Sequence, residues 1–355
     1  MNEIRLWVLG LGTVGQWLLR AVHAQMPRLA SRYGFVPKVV GVANARDGFV
    51  YHPGGLDPLT AAELASSGRS IAAHPGVGHW PSSLEGLEAT EADVLVEVTA
   101  SSADDGGEPG VSHMRNALRR GIPVVTSNKW PVALHGVELA ELARELGTEF
   151  RAESTVMSGT PVLSSLVDGL AGTQPIGLRG ILNATANFLL TRMEQGESYQ
   201  RALTAAQDLG LAERDPTADV EGYDAMAKAM ILAGLVFGTQ LRPADVVRHG
   251  ITGVDGAQIE AARSRQAHLR QVVTVGYPDR ATTGNLTVRV EPVLLSRDDL
   301  LARVTGATNA VICRTQPVGE VTIIGPGAGP ELAGQGVLSD LIAVARMIQA
   351  RRTVG

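Results

Sequence analysis

The sequence predicts an α/β protein with a doubly wound parallel sheet and a second α+β domain built on a mixed sheet. Two observations carry this prediction. Near the N-terminus, a short apolar strand leads into three closely spaced glycines and then into a helical pattern, which is the order of a nucleotide-binding βα unit. In the last third of the chain, three segments of alternating polarity follow one another, which is typical of antiparallel or mixed sheets.

The first strand is predicted at residues 4–9, and the segment G-L-G-T-V-G follows it directly. Gly10 permits a tight turn, Gly12 lets the backbone approach a pyrophosphate, and Gly15 lets helix and strand pack closely. The helix that begins there offers free amides and a positive dipole end to phosphates. The sequence therefore predicts a Rossmann-type dinucleotide site whose cofactor-binding residues include Gly10, Leu11, Gly12, Thr13, Val14 and Gly15.

The end of the second predicted strand, at residues 39–42, bears on the choice between NAD and NADP. A site specific for NAD usually has Asp or Glu at that strand end, where it holds the ribose hydroxyls. Asn44 stands there instead, and Arg46 follows two residues later, where its guanidinium could pair with a 2′-phosphate. An ordinary surface arginine is the alternative. We expect Asn44 and Arg46 to favour NADP, with NAD as the other possible cofactor.

Two further strands, at residues 93–98 and 123–126, end in polar side chains. Ligands of doubly wound sheets bind outside the carboxyl ends of the strands. Thr99, Ser127 and Lys129 are therefore expected to meet the nicotinamide end of the cofactor. Residues 48–81 are rich in Gly, Pro, Ser and His, and one helical piece is expected near 60–66.

Apolar periodicity predicts the other elements in order. Helices are expected at 112–120, 136–146, 257–267 and 337–347, and one is expected to begin at Asn187. Strands are expected at 150–153, 178–184, 271–276, 286–294, 310–315 and 320–324. We expect a nucleotide-binding domain over residues 1–150, completed by a C-terminal helix within 326–355, and a second domain over 151–325.

Composition excludes several classes of protein. The chain has 355 residues and a net charge of −5, which argues against general affinity for nucleic acid. Its single cysteine, Cys313, excludes a disulfide framework and a multi-cysteine metal site, and its strand-like context predicts a buried structural thiol. The longest apolar run is too short to span a bilayer, and the N-terminus leads straight into a strand without a secretory signal. We therefore expect a cytoplasmic protein that binds neither nucleic acid nor membrane.

The stretch from Ala206 to Lys228 concentrates the charged chemistry of the chain. Asp215-Pro216 prevents any helix from running through it, and apolar periodicity resumes after Gly222. Asp224 and Lys228 are four residues apart on the new helix and share one face. A solvated loop with an ordinary helical ion pair is the simpler interpretation. The turn-forming residues and the apolar run that follows Lys228 favour a functional site.

This stretch resembles the signature of homoserine dehydrogenases, whose fixed positions are filled here by Ala206, Gly210, Asp215, Pro216, Asp219, Gly222, Asp224 and Lys228. The segment T-S-N-K-W-P is also similar to the family's Asn-Lys segment, with Trp130 where glycine is common. The resemblance covers nearly the whole chain. It implies a reversible NAD(P)-dependent interconversion of L-homoserine and L-aspartate 4-semialdehyde in the biosynthesis of threonine, methionine and isoleucine. It also implies a homodimer formed through the mixed sheet of a substrate-binding and dimerisation domain.

The substrate's chemistry and the resemblance together assign roles in the acidic stretch. The ammonium of homoserine calls for buried carboxylates, and Glu213 and Asp224 are the candidates for substrate binding. Lys228 is the expected proton acceptor. The ordinary pKa of a lysine is about 10.4, so burial or a cationic neighbour must lower the pKa of Lys228 for this role. Lys129 is either that neighbour or the acid/base itself. Asp219 is expected to orient one of the two lysines.

Two more features of the resemblance concern the cation and the cofactor. The segment S-T-V-M-S-G-T-P resembles a loop of the family that holds a monovalent cation, with sodium as the expected ion, mainly through backbone carbonyls. Met157 and Ser158 replace glycines that are frequent in the family. By position the ligands are Glu153, Val156, Ser158 and Thr160. A plain strand-to-helix turn is the alternative. Gly329, in the C-terminal G-P-G-A-G segment, is implied to approach the cofactor.

Two other functions remain open at this point. The chain could reduce a different amino-acid semialdehyde, or it could be a non-catalytic nucleotide-sensing module. A catalytic-cysteine mechanism is disfavoured because Cys313 is far from any predicted helix N-terminus that could activate it. The complete set of Glu213, Asp219, Asp224 and Lys228 argues against a sensing module.

Overall fold

The computed structural model describes residues 2–278 and 283–354. The first part of the chain forms β1 (Asn2–Leu9), α1 (Thr13–Tyr33), β2 (Phe35–Asn44), β3 (Gly48–Tyr51), α2 (Pro58–Ser66), β4 (Gly78–Trp80), α3 (Ser83–Ala89), β5 (Val94–Glu97), α4 (Gly110–Arg119), β6 (Val124–Thr126), α5 (Lys129–Glu145) and β7 (Phe150–Arg151). The rest forms α6 (Ser154–Met157), β8 (Gln174–Ile181), α7 (Ala184–Glu194), α8 (Tyr199–Asp208), α9 (Thr217–Val220), α10 (Tyr223–Phe237), β9 (Val247–Arg248), α11 (Gly256–Ser264), β10 (Ala267–Gly276), β11 (Thr287–Ser296), β12 (Thr308–Gln316), β13 (Gly319–Pro326) and α12 (Pro330–Val354). A π-helical turn, Ser164–Gly169, lies between α6 and β8.

The chain divides into two compact units, one of residues 1–155 with 329–355 and one of residues 156–328. The first unit contains a seven-stranded sheet in the order β4-β3-β2-β1-β5-β6-β7. The five strands from β2 to β7 in that order pair in parallel, and β3 and β4 form an antiparallel edge. The predicted doubly wound sheet is therefore confirmed.

The central strand β1 shows why this sheet forms. Ile4, Leu6 and Val8 face one core together with α1 and α12, whereas Trp7 and Leu9 face a second core with α4 and α5. Side chains of a strand alternate between the two faces, so a strand that is covered on both sides must be apolar throughout. The apolar run from Leu6 to Leu9 meets that requirement, whereas Arg5, earlier in β1, is only partly buried and pairs with Asp93.

The helical piece predicted near 60–66 is confirmed as α2 (Pro58–Ser66), and the segment 48–81 also contains two short strands that its composition does not suggest. Phe49 in β3 is fully buried and packs edge-to-face on Trp80 in β4. Each of these strands has only three or four residues, too few for periodicity to stand out among the Gly, Pro and His residues around them.

The last helix belongs to the first unit and packs against α1. It runs from Pro330 to Val354, well beyond the predicted 337–347, and buries Leu338, Leu341 and Ala345. A side chain at Gly334 would overlap the ring of Trp17 in α1. This glycine therefore allows the two helices to approach each other closely.

The second unit contains a six-stranded sheet in the order β13-β12-β8-β10-β11-β9. All neighbouring pairs are antiparallel except β9 and β11, which pair in parallel. The predicted mixed sheet is confirmed. Helices α7 and α10 pack on this sheet, and the acidic stretch connects α8 to α10.

Helix α7 begins at Ala184, three residues before the predicted start at Asn187. Asn183 is its N-cap, and its Oδ1 accepts a hydrogen bond of 2.7 Å from the amide of Ala186. Asn187 is instead buried inside the helix, where its Nδ2 donates to backbone carbonyls that include those of Val304 and Gly306. Both asparagines fit a helix start by composition, and only their tertiary contacts distinguish them.

The structure bears on the predicted absence of a membrane span and on the predicted burial of Cys313. Among the described residues, no helix has the length and apolarity that crossing a membrane requires. Cys313 in β12 is 1% exposed, and burial raises the pKa of its thiol to about 11. The interpretation of Cys313 as a structural thiol is confirmed, because the thiolate is disfavoured at this position.

Candidate active site

Small-molecule sites are clefts of about 300–1,000 Å³. The first unit has a cleft of ≈ 630 Å³ at the carboxyl ends of its central strands. Its lining includes Gly10, Leu11, Gly12, Thr13, Val14, Asn44, Arg46, Ser83, Thr99 and His113. Eight of these were predicted as cofactor-binding residues from the sequence, whereas Ser83 and His113 were not. Among the described residues, the lining does not include Gly15, Ser127, Lys129 or Gly329.

Each of the three glycines of the motif suits its position for a different physical reason. Gly10 has a φ of +100°, and a Cβ there would overlap the backbone of Val98; a Cβ on Gly15 would overlap the carbonyl of Gly10. By contrast, a Cβ on Gly12 would meet nothing within 4 Å. Packing therefore does not require glycine at position 12, and the space above it is open to a ligand. An open backbone at the N-terminus of α1 fits a pyrophosphate.

Asn44 and Arg46 both reach the cleft, but both are bonded to Asp47. Asn44 Nδ2 donates to Asp47 Oδ2 at 2.9 Å, and Arg46 Nη2 lies 2.8 Å from the same oxygen. The Arg46 guanidinium holds the pKa of the Asp47 carboxyl well below its usual range. The sequence interpretation did not single out Asp47. Its carboxylate partly neutralises the cation that was expected to meet a 2′-phosphate.

Ser127, Lys129 and Gly329 lie at element boundaries in the first unit. Lys129 is the first residue of α5, which starts seven residues before the predicted 136. Ser127 is half-buried in the link between β6 and α5. Gly329 has a φ of +126° and immediately precedes α12. Both Ser127 and Lys129 therefore follow the carboxyl end of a strand of the parallel sheet, as predicted.

In the second unit, a buried lysine lies on the first turns of α10. Lys228 is 6% exposed, and its Nζ lies 2.8 Å from Asp224 Oδ2. The same Nζ donates to the carbonyl of Leu182 at 2.6 Å. A buried ammonium needs such partners, because desolvating it without them costs several kcal/mol. Gly222, with a φ of +81°, is the N-cap that starts this helix.

Asn183 joins this lysine site to Asp219, and sequence reasoning missed it. Its Nδ2 donates to Asp219 Oδ1 at 2.7 Å and to Asp224 Oδ2 at 3.0 Å. One amide thus holds two carboxylates, while its oxygen caps α7. A polar residue between a buried strand and a helix start was the available signal, but it indicated a cap and not a partner for distant carboxylates. We call Asn183, Asp219, Asp224 and Lys228 the acid–lysine cluster.

The acid–lysine cluster holds more negative charge than its surroundings favour. Burial raises the pKa of Asp219, and the nearby charge of Asp224 adds to this effect. The hydrogen bond from Asn183 opposes it, as does the charge of Lys228. Two partly buried carboxylates beside one ammonium are suited to accept a second cation.

Glu213 was expected to be a buried carboxylate, and the structure shows that this expectation is wrong. It is exposed in the polar loop after α8, and its backbone carbonyl accepts from Gln207 Nε2 at 3.1 Å. Asp215, two residues later, is also exposed, and bonds from Thr217 lower the pKa of its carboxyl. The loop places polar residues toward solvent before the single turn of α9.

The segment predicted to hold a cation forms the short helix α6 followed by a tight turn. Ser158 has a φ of 52°, a left-handed conformation that favours glycine, which agrees with the glycine common at this position in the resembling family. Its hydroxyl donates to the carbonyl of Gly327 at 3.1 Å, and Thr160 Oγ1 donates to that of Pro326 at 2.9 Å. The described residues contain no group of three or more His, Cys, Asp or Glu side chains suited to a metal ion.

Comparison with known proteins decides the family. Residues 161–342 match the family described as Homoserine dehydrogenase, and residues 10–153 match that described as Homoserine dehydrogenase, NAD binding domain. The chain belongs to the homoserine dehydrogenase family. The NAD(+)-dependent homoserine dehydrogenase of Pseudomonas canavaninivorans is 40% identical over 97% of both chains. The homoserine dehydrogenase of Methanocaldococcus jannaschii is 34% identical over 95% of this chain and 97% of its own.

Solved structures agree with this family assignment. A putative homoserine dehydrogenase from Archaeoglobus fulgidus has a TM-score of 0.84 at 29% identity and covers 96% of this chain and 99% of its own. A hyperthermophilic archaeal homoserine dehydrogenase in complex with NADPH has a TM-score of 0.79 at 31% identity, covering 96% and 97%. The activity of this chain is that of an NAD(P)-dependent homoserine dehydrogenase, an oxidoreductase of amino-acid biosynthesis.

The raised pKa of Asp219 leads to a testable stability effect. A carboxyl whose pKa is raised by folding stabilises the protein fully below its ordinary value of 3.8, and this stabilisation is lost as the pH rises through the raised pKa. At neutral pH, Asp219→Asn removes the unfavourable charge and keeps an oxygen for Asn183. We expect the variant to melt about 2 °C higher than the wild type at neutral pH. The gain should disappear in acid, and an equal or lower Tm at neutral pH would contradict this account.

Proposed function

We propose that the acid–lysine cluster, with Glu213, is the site that binds L-homoserine and moves its hydroxyl proton. The observation that carries this proposal is the buried ammonium of Lys228, which lies against both a carboxylate and a backbone carbonyl. A helical ion pair that only stabilised α10 would not need the second carboxylate of Asp219 or the bridging amide of Asn183.

The substrate's ammonium is assigned to Asp224 and Glu213. Asp224 is half-buried and already pairs with one cation, so a second ammonium can share its carboxylate. Asp219 adds a further negative charge held in place by Asn183. Glu213 is exposed in the loop between α8 and α9, so it is assigned as an outer carboxylate that attracts the substrate's ammonium. Asn183 is a positioning residue, because its amide fixes the separation of the two inner carboxylates.

Proton transfer is assigned to Lys228. In the oxidation direction, a bound oxidised nicotinamide would supply the acceptor for the hydride from the carbon that bears the hydroxyl. The hydroxyl proton passes to Nζ of Lys228, and the product is the aldehyde. Both contacts of Lys228 favour its ammonium form; the arriving substrate ammonium competes for Asp224 and disfavours a second positive charge nearby. Lys129 contributes a positive charge from the cofactor-binding part of the chain, or exchanges the proton itself.

A direct test compares two substrates that differ by one group. L-Homoserine and 4-hydroxybutanoate both carry a primary alcohol and a carboxylate, but only homoserine has the ammonium. The assignment predicts reduction of NAD(P)⁺ with homoserine and little or none with 4-hydroxybutanoate. Similar kcat/KM values for the two alcohols would refute recognition of the ammonium.

A preference for NADP over NAD is also proposed. It is supported by Asn44 in place of an acidic residue at the end of β2 and by Arg46 in the lining of the cleft. Because Asp47 already pairs with Arg46, the guanidinium must be shared between Asp47 and a 2′-phosphate. The preference should therefore be moderate.

Replacing Arg46 tests this preference. Loss of a charge-assisted contact to the 2′-phosphate costs about 1.5–3 kcal/mol, so Arg46→Ala should raise the KM for NADP by roughly tenfold or more. The KM for NAD should stay within about twofold, because NAD has no phosphate at that position. Arg20→Ala, on the exposed side of α1, is the matched control. An unchanged KM for NADP in Arg46→Ala would show that this arginine does not read the phosphate.

A monovalent cation, with sodium as the expected ion, is proposed at Glu153, Val156, Ser158 and Thr160 on the basis of the family resemblance. The hydroxyls of Ser158 and Thr160 already donate to backbone carbonyls, so the cation would rely on backbone oxygens. Sodium chloride replaced by tetramethylammonium chloride should lower activity or thermal stability; no change in either would refute the site.

A homodimer through the sheet of the second unit is proposed as well. Leu294 on β11 and Ile324 on β13 are 42% and 58% exposed, and a cavity of ≈ 430 Å³ on this sheet is lined by the buried side chains of Ile176, Leu178 and Ile312. Exposed apolar surface rimmed by charged residues is typical of protein interfaces. Sedimentation that finds only a monomer at micromolar concentration would refute the dimer.

A further inference from the structure

A buried carboxylate lies beside the cofactor cleft and has no role in the account above. Glu97 is the last residue of β5 and is 0% exposed. Its strand is central in the parallel sheet, between β1 and β6. Burying an ionised carboxylate is costly unless hydrogen-bond donors surround it. The partners of Glu97 therefore indicate its state.

Polar groups from two loops donate to this carboxylate. Glu97 Oε2 accepts from Asn128 Nδ2 at 3.1 Å, and Oε1 accepts from the backbone amide of Thr99 at 3.3 Å and from Thr99 Oγ1. Asn128 Nδ2 also lies 2.8 Å from Ser101 Oγ. Glu97 thus connects the loop after β5 to the loop after β6, where the nicotinamide end of the cofactor is expected.

A histidine extends the same network to the cleft wall. His113 on α4 is 1% exposed; its Nδ1 lies 3.5 Å from Glu97 Oε1, and its Nε2 lies 2.7 Å from Ser83 Oγ. Ser83, Thr99 and His113 all line the cleft. Several donors converge on Glu97, and this is the arrangement that an ionised carboxylate requires. A negative charge is therefore held one residue away from the cleft surface.

We propose that Glu97 is a positioning residue whose fixed negative charge strengthens binding of the oxidised cofactor relative to the reduced cofactor. The oxidised nicotinamide ring is cationic and the reduced ring is neutral, so a nearby carboxylate attracts only the oxidised form. This inference rests on the cofactor site proposed above. It assigns to Glu97 an effect on the ratio of two affinities, which a residue that only supported the fold would not produce.

The test is to measure dissociation constants of NADP⁺ and NADPH for the wild type and Glu97→Gln, without substrate. Nicotinamide fluorescence reports NADPH binding, and competition reports NADP⁺. Glutamine keeps the shape and an acceptor oxygen but lacks the charge. We expect the dissociation constant of NADP⁺ to rise about tenfold and that of NADPH to change by less than about twofold. Equal changes for both forms, or a change in neither, would overturn the inference.

A second variant tests the same electrostatic effect if Glu97→Gln does not fold. Ser101 is half-buried and lies in the same network, so Ser101→Asp adds a carboxylate without removing one. It should shift the ratio in the opposite direction, toward tighter relative binding of NADP⁺; a shift toward NADPH would overturn the inference. If the wild type binds neither form, the cofactor site fails and this inference with it. If the wild type binds both forms and neither variant alters the ratio, only the role of Glu97 fails.

Discussion

Lys228→Ala should lower the turnover number by about 10²–10⁴, because a general acid/base contributes a factor of that size. The KM for the cofactor should change little, since the cofactor cleft of the first unit is lined by residues from a different part of the chain. Both directions of the reaction should be affected, because the same proton is removed in oxidation and returned in reduction. Steady-state kinetics on the purified variant, with homoserine and with aspartate semialdehyde, measures these effects.

The control for this prediction separates chemistry from stability. Lys228→Ala removes the ammonium that lies 2.8 Å from Asp224 Oδ2, and this alone can lower the Tm. The double variant Asp224→Asn/Lys228→Met removes both charges and should recover part of the lost stability but none of the turnover. Lys38→Ala, on the surface, is the matched lysine control. Near-normal turnover in Lys228→Ala would show that Lys228 does not transfer the proton.

Asp224→Asn should raise the KM for homoserine by at least about 25-fold, because losing a carboxylate that pairs with a desolvated ammonium costs about 2–5 kcal/mol. Turnover should fall as well, since the same carboxylate holds Lys228. Glu213→Gln should raise the KM for homoserine by a smaller factor with little loss of turnover, because Glu213 is exposed. The KM for the cofactor should be unaffected in both variants.

The comparison between the two carboxylate variants carries its own control. If Asp224 and Lys228 form only a structural ion pair, Asp224→Asn should lower the Tm slightly and leave the KM for homoserine unchanged. If Glu213→Gln raises the KM for homoserine as much as Asp224→Asn does, the assignment of Glu213 as an outer carboxylate is wrong.

Local features of the chain were predictable from the sequence. The spacing of Gly10, Gly12 and Gly15 reports a backbone requirement that acts within a few residues, so the βα unit could be located. Asp224 and Lys228 could be paired because helix geometry places residues four apart on one face. The mixed sheet followed from alternation within single strands.

Contacts between distant segments were not predictable. Asn183 lies 41 residues from Asp224, and nothing in its neighbourhood indicates two carboxylate partners. The pairing of Arg46 with Asp47 changes the expected charge at the cleft, but adjacent residues of opposite sign are common on surfaces and indicate little. Glu97 stood at the end of an apolar strand, and its partners come from loops that only the folded sheet brings together.

Binding of L-homoserine to cofactor-loaded protein, measured by calorimetry on Lys228→Ala and Asp224→Asn, tests the central claim most directly. The claim is that Asp224 holds the substrate ammonium whereas Lys228 moves a proton. Lys228→Ala should bind homoserine within a few-fold of the wild type, and Asp224→Asn should bind it at least about 25-fold more weakly. Equal affinity in the two variants, whether retained or lost, would contradict the claim.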